Sequence, residues 1–376
     1  MRKNSLFLTL MMSAVFIVSC DKPNVRMHTI INEDGSCERE VSYTTIMPKE
    51  MRDSLWGSGK MNWAYPVPEC LNTNTFMSTH THTDGDSVTT TFMRGFDSVE
   101  EMCQQTPLQL NGTRLKSTAK LEKKNRLFYT LYTYTETFTC VGDTFKIPAT
   151  NYADKEVVSY WFTGQPNLLQ GLSGAEASEK ISKMEPFVTQ WINDNFFKLC
   201  FDFMVDNYDS IQNPPIEKAQ FVELHDSLAN YLLSTTGDIL LVNPGERFEK
   251  FFNSDAYAIF FDEETPCGKA LEEELSKHMN IFWFSVPYSL TMPGTVVYAG
   301  TGVVKDGVIH YPLTGERLIP QDYTITATSR VTHTWTYVAA FFILLVFIGS
   351  FLYCGSKRKT QRVKARFEER VGSKKE

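Results

Sequence analysis

Two histidines, His80 and His82, have the residue type and spacing with which a metal site could begin. A strand places residues i and i+2 on one face, so both imidazoles would point the same way, and imidazole is a common ligand of Zn²⁺. A third ligand would have to come from another hairpin, where His28 is the candidate. The simpler interpretation is a polar strand face, so we predict no metal site.

A run of three carboxylates, Asp262-Glu263-Glu264, follows two phenylalanines and could do acid–base chemistry. Paired carboxylates act in this way when burial separates their pKa values, but acidic neighbours in sequence are more typical of a solvated loop. The chain also has no G-x-S-x-G, H-E-x-x-H or P-loop motif. We therefore predict no catalytic residue and no cofactor. The alternative is an envelope hydrolase whose active site uses none of these motifs.

The chain contains eight cysteines, of which Cys20 and Cys354 lie close to the two apolar segments near its ends. The other six are too widely spaced for a C-x-x-C zinc or redox motif. An oxidising compartment would permit disulfides among them, and the spacing does not choose between disulfides and buried free thiols. These disulfide candidates are Cys37, Cys70, Cys103, Cys140, Cys200 and Cys267.

The N-terminus has the features of a secretory signal peptide. Arg2 and Lys3 precede an apolar run at residues 6–18, which is too short to span a bilayer as a helix. The run ends Ile17-Val18-Ser19-Cys20, which resembles the lipobox of bacterial lipoproteins. That resemblance implies cleavage after residue 19 and a lipid, such as a palmitate-bearing diacylglycerol, on Cys20.

A second apolar stretch, residues 335–354, lacks charged side chains and has the length of a transmembrane helix. Trp335, Tyr337 and Tyr353 stand near its ends, where aromatic residues prefer the membrane interface. The tail at residues 355–376 carries nine Lys/Arg and three Glu. Because positive flanks stay in the cytoplasm, we expect a helix at 334–354, a cytoplasmic tail and an ectodomain in the periplasm. A spanning helix also favours the inner membrane over the outer one, where β-barrels predominate.

The ectodomain is acidic. The whole chain has a net charge of −7, and setting aside the basic tail and Arg2 and Lys3 leaves about −15, as 26 Lys/Arg against 41 Asp/Glu. A nucleic-acid-binding protein needs a basic surface, so that class of function is excluded.

The ectodomain is predicted to fold as an α+β domain in three consecutive parts. Residues 20–150 contain hairpin signals, such as Asp34-Gly35 and Asp84-Gly85 between strand-like runs. Within one of these runs Cys37, Arg39, Val41 and Tyr43 occupy alternate positions, so they share a face. A third hairpin is predicted to turn at Lys123-Lys124-Asn125.

Residues 151–280 change to helical periodicity, and residues 281–333 return to strands. Ser173 and Glu176 form a capping box, and Pro186 is expected to kink or split the helix that follows. The predicted architecture is an antiparallel sheet of β-hairpins with a helical region inserted before the closing strands, followed by one transmembrane helix.

This layout resembles a group of uncharacterised envelope lipoproteins of Bacteroidetes and, more distantly, the LppM-type lipoproteins of mycobacteria. The matching residues are the motif ending at Cys20, the Asp34-Gly35-Ser36 turn and Pro293-Gly294. These families carry no established catalytic residues. We therefore expect a membrane-anchored periplasmic lipoprotein that binds or assembles an envelope protein or lipid partner. The alternatives are the hydrolase above and a signalling subunit that acts through the basic tail.

Overall fold

The computed structural model describes residues 25–57, 63–72, 74, 78–105, 108–233 and 244–372. The predicted signal peptide and the lipidation candidate Cys20 lie outside the described residues. The described elements follow the predicted order of strands, helices, strands and one long C-terminal helix. This confirms the α+β class.

A seven-stranded sheet is formed by the first four strands of the described ectodomain and three of its closing strands. It has the order β11-β12-β9-β1-β2-β4-β3. Its strands are β1 (Arg26–Ile31), β2 (Cys37–Ile46), β3 (Ser78–Asp84), β4 (Ser87–Phe96), β9 (Ser285–Thr291), β11 (Val303–Lys305) and β12 (Val308–Thr314).

A four-stranded sheet has the order β10-β13-β8-β7. It consists of β7 (Ser117–Asn125), β8 (Tyr129–Phe138), β10 (Thr295–Tyr298) and β13 (Tyr323–Thr332). A separate two-residue pair joins β5 (Gln109–Leu110) to β6 (Thr113–Arg114).

The predicted hairpin turns are present, with one displacement. Gly35 and Gly85 both have positive φ, a conformation that glycine adopts at little cost. The third turn lies three residues later than predicted. β7 continues through Lys123 and Lys124 to Asn125, and the chain turns at residues 126–128, because β8 can pair with β7 along that whole length.

Pairing between distant parts of the chain makes the topology more complex than a series of hairpins. β9 pairs in parallel with β1, more than 250 residues earlier, so one pair in the larger sheet is not antiparallel. The closing strands also divide between the sheets, since β9 and β12 join the larger sheet and β10 and β13 join the smaller. The last part of the ectodomain therefore completes both sheets that the first part begins.

The two sheets share one apolar core. Alternate residues of β2 and β8 are buried, and their side chains meet those of β9 and β13 in a single cluster. Tyr43, Tyr134, Tyr288 and Phe138 are among its largest fully buried side chains. Arg39 is buried on the same face as Val41 and Tyr43, as the alternation predicts.

The ectodomain contains one long helix and several shorter ones, and a second long helix follows it. The helices of the described chain are α1 (Lys49–Gly57), α2 (Val99–Gln104), α3 (Lys155–Thr163), α4 (Gly174–Asp206), α5 (Lys218–Glu223), α6 (His225–Leu233), α7 (Pro244–Phe252), α8 (Pro266–Trp283) and α9 (Thr334–Gly372).

The long helix α4 begins at the predicted capping box, in which Ser173 and Glu176 satisfy each other's backbone N–H groups. The expectation that Pro186 splits it is wrong, because the helix continues through the proline. A proline inside a helix costs about 3 kcal/mol. Here the buried side chains that surround it, including Met184, Phe187 and Trp191, offset that cost.

The last strand leads directly into the C-terminal helix. One residue, His333, separates β13 from α9. Among the described residues, α9 is the one helix long and apolar enough to span a membrane, with a mean hydropathy of 2.4 over its most apolar window and none of that window buried. A helix with this exposed apolar surface favours association with a membrane.

Candidate functional site

An ion pair lies in the core between the two sheets. Arg39 on β2 donates from Nη2 to Oε2 of Glu136 on β8 over 2.8 Å, and both side chains are almost completely buried. Since β2 and β8 belong to different sheets, this contact joins them.

Hydroxyl and thiol groups surround the Glu136 carboxylate. Tyr134 and Tyr288 donate to its Oε2 atom over 2.7 and 2.8 Å. Ser117 and Cys103 donate to Oε1 over 3.1 and 3.4 Å. The carboxylate is therefore held from β7, β8, β9 and α2 as well as by Arg39 on β2.

The balance of forces in this cluster favours the charged carboxylate. Burial by itself would raise the pKa of Glu136, but the positive charge of Arg39 and the hydrogen bonds from Tyr134 and Tyr288 lower it below its ordinary value. Burial and the neighbouring Glu136 raise the pKa of both tyrosines. At neutral pH the cluster is thus one cation and one anion held by neutral hydroxyls. Because Glu136 has no exposed surface, it cannot contact a solute, and the cluster suits a structural role in holding the two sheets together.

The sequence contains a signal for this pair, although the candidate sites predicted from it do not include either residue. Glu136 shares its strand parity with Tyr132, Tyr134 and Phe138, so it is the one carboxylate on an otherwise apolar face of β8. Arg39 stands out in the same way on β2. A lone charge on each of two inward faces suggests partners, because a buried charge is costly unless it is paired.

The described cysteines are free thiols, including all six disulfide candidates. Cys37 and Cys103 are buried in the core, where the Cys37 thiol contacts the Met102 sulfur over 3.6 Å. Burial raises the pKa of Cys37 to about 12 and that of Cys103 above its usual range. Because the thiolate is the reactive species, these two groups are poor nucleophiles. Cys20, the lipidation candidate, remains a prediction.

We expect Cys37 and Cys103 to resist iodoacetamide in the folded protein at pH 7.5. Their burial excludes the reagent, and their raised pKa values leave little thiolate. After denaturation without a reductant, all six ectodomain cysteines should be alkylated, as read by peptide mass spectrometry. Cysteines that become reactive only after both denaturation and reduction would show that disulfides form instead.

The structure separates the three histidines considered for a metal site. His80 and His82 are exposed on β3 at one edge of the larger sheet. His28 is on β1, with β2 and β4 in between, and it bonds the Thr291 hydroxyl. Among the described residues, no group of three or more His, Cys, Asp or Glu side chains is arranged to hold a metal ion.

Two polar regions, an acidic turn and a groove, border α8. Asp262, Glu263 and Glu264 are exposed in the turn before α8, where Asp262 accepts from the Glu264 backbone, so they form the solvated loop that the sequence favours. An open groove of about 370 Å³ lies where β5 and β6 meet α8. Its Asn111 and Asn280 side chains bond each other over 3.0 Å, which uses two of the groove's polar groups to hold the hairpin on the helix.

An apolar sheet edge is the strongest candidate for a binding surface. β11 ends the larger sheet and β10 ends the smaller, and a short loop joins them. Val303 and Val304 on β11 are 69% and 48% exposed, and Val297 and Tyr298 on β10 are also exposed. We call these four side chains the β10–β11 edge. Edge strands carry backbone N–H and C=O groups that can pair with another strand.

The opposite edges have the composition that prevents such pairing. β7 bears Lys120, Lys123 and Lys124 along its exposed edge, and β3 is a polar Ser/Thr/His strand. Lysine on an edge strand discourages the addition of another strand, and β3 has no apolar side chain with which to hold one. Among the four strands that end the two sheets, exposed valines therefore occur on β10 and β11, and both of these strands are short.

No family model, curated protein or solved structure matches this chain.

Proposed function

We propose that this chain is a membrane-anchored binding or assembly protein of the cell envelope that acts without catalysis and holds its partner at the β10–β11 edge. The supporting observation is that Val297, Tyr298, Val303 and Val304 are exposed on two edge strands that follow each other in the chain. Exposed apolar residues that lie close together commonly mark an interaction site, and residues 299–302 are all that separates the two pairs in the sequence.

The membrane anchor supports this role. In the proposal α9 spans the inner membrane, the ectodomain occupies the periplasm and the basic tail lies in the cytoplasm, following the positive-inside rule. A lipid on Cys20 would be a second anchor, as the resemblance to envelope lipoproteins implies. Two anchors hold more firmly than one acyl chain alone.

In this proposal the β10–β11 edge lies near the membrane, because β10 pairs close to the end of β13 from which α9 begins. Val296 pairs with Ser329, three residues before the end of β13, and α9 begins two residues after that end. At about 3.3 Å per strand residue, the pair lies about 10 Å along β13 from its end. Anchoring thus raises the effective concentration of the edge for a partner in the same membrane.

The chemistry of the edge points to an extended protein segment as the partner. Main-chain hydrogen bonds to an added strand supply affinity, and pockets or apolar contacts for alternate side chains supply specificity. β11 has three residues and β10 has four, so only a few such bonds can form. The exposed valines and Tyr298 then supply the remaining contact area, which favours a partner strand with apolar side chains.

We expect one dominant envelope protein to co-purify with the full-length chain after chemical crosslinking in its native cells. Mass spectrometry of the purified adduct identifies the partner. A clean protein without a partner, purified after crosslinking that demonstrably joins other envelope complexes, would count against a binding or assembly role.

A further inference from the structure

The turn between β7 and β8, residues 126–128, lies at the end of the smaller sheet from which α9 emerges. Thr332, the last residue of β13, pairs with Tyr129, the first residue of β8. The turn is therefore beyond the last rung of the sheet, on the side of the helix. Its central residue, Leu127, is 72% exposed.

Direct contacts fix the turn against the start of α9. The His333 backbone N–H donates to the Phe128 carbonyl over 2.8 Å, and the His333 ring lies 2.9 Å from the Thr130 hydroxyl. The Phe128 and Tyr337 rings pack with centroids 4.8 Å apart. The β7–β8 turn and the first turn of α9 therefore lie side by side, at the same level along the axis of α9.

The length of α9 determines where this level lies relative to the membrane. The charge-free stretch at residues 335–354 is about 30 Å long at 1.5 Å per residue, which equals the thickness of the hydrocarbon core. Trp335 and Tyr337 at its upper end are exposed aromatic residues, of the kind enriched at the membrane interface. A turn that packs on Tyr337 therefore reaches the same interface.

We propose that the β7–β8 turn binds the lipid surface of the membrane that α9 spans, with Leu127 at the boundary of headgroups and acyl chains and Lys124 and Arg126 against lipid phosphates. The inference rests on the membrane placement of α9, and it holds whether or not the β10–β11 edge binds a protein.

The chemistry of the turn suits phospholipid. An exposed leucine that follows two cationic side chains combines apolar burial with attraction to phosphate, the combination by which surface segments attach to membranes. Lys124 also lies 3.8 Å from Glu122, but that carboxylate is held closer by Lys120, at 2.7 Å. Cations at the turn contrast with an ectodomain that is acidic overall.

A second membrane contact would orient the ectodomain. A single spanning helix can tilt in the bilayer, and the smaller sheet would tilt with it because the contacts of Phe128 with His333 and Tyr337 join the two. With the turn also held by lipid, the tilt of the smaller sheet is restricted. β10 belongs to that sheet, so its edge stays at a constant height above the bilayer.

The test places a benzophenone amino acid at Leu127 in the full-length protein, reconstituted in vesicles of phosphatidylcholine and phosphatidylglycerol. The matched control is Ile46, an equally exposed aliphatic residue at 68%. The β1–β2 turn lies near the end of the sheets that faces the membrane, because its Glu33 carbonyl accepts hydrogen bonds from Lys123 and Tyr132. β2 begins next to that turn, at Cys37. Nine residues along the strand place Ile46 about 30 Å away from that end. Phe341 inside α9 is the positive control.

After irradiation, we expect lipid adducts at Leu127 and Phe341 and none at Ile46, as measured by the mass of the crosslinked peptides. Adducts at Phe341 without adducts at Leu127 would overturn the proposal. Equal yields at Leu127 and Ile46 would also overturn it, because they would show random collision with vesicles.

Discussion

The Glu136→Gln variant is expected to lose about 3–5 kcal/mol of unfolding free energy, because removing one partner of a buried ion pair leaves the other charge uncompensated. Arg39 would remain almost completely buried, with a neutral amide where its counter-ion stood. The measurement is urea unfolding of the full-length protein in detergent, followed by tryptophan fluorescence. The surface control is Glu122→Gln, whose pair with Lys120 is solvent-exposed and should change the unfolding free energy far less.

A double variant separates the charge from the packing. Arg39→Met with Glu136→Leu removes both ions and keeps the volume apolar, a replacement that is often neutral. Tyr288 would keep its bond to Thr29, and Tyr134 would keep its contact with Tyr288. The double variant should thus be more stable than Glu136→Gln alone. A double variant as unstable as the sum of its two single changes would show that the two residues do not stabilise each other.

Replacing Val303 and Val304 with lysine should reduce the amount of co-purified partner at least about tenfold, equivalent to about 1.4 kcal/mol of binding free energy. Lysine on an edge strand discourages strand addition, and the change also removes two exposed apolar contacts. The measurement is the partner yield per mole of purified chain after crosslinking in cells.

The matched control for that change adds the same two charges to another edge. His80 and His82 are exposed on β3, and their replacement with lysine should leave the partner yield unchanged. Both variants should unfold at the wild-type urea concentration, since none of the four side chains is buried. An equal loss of partner from both variants would assign the effect to net charge rather than to the β10–β11 edge.

The elements of this fold could be predicted from local patterns, because strand alternation and turn chemistry act over a few residues. The alternation from Cys37 to Tyr43 correctly placed Arg39 on a buried face. The capping box at Ser173 correctly marked the start of α4. The apolar stretch at 335–354 corresponds to the apolar part of α9.

The pairing of those elements could not be predicted in the same way. Nothing local in β1 indicates that it pairs in parallel with β9, and strand periodicity does not divide strands between two sheets. The candidate sites depend on these choices. Arg39 meets Glu136 only because the sheets face each other. Val303 and Val304 are exposed only because β11 is at an edge, which strand periodicity does not reveal.

The central claim, that the β10–β11 edge binds a protein partner, is tested most directly by site-specific photo-crosslinking in intact native cells. A benzophenone amino acid at Val304 reports on the edge, and one at Thr83, exposed on β3, reports on the opposite side of the same sheet. The account predicts one dominant protein adduct from Val304 and none from Thr83. No protein adduct from Val304, or the same adducts in equal yield from both positions, would contradict it.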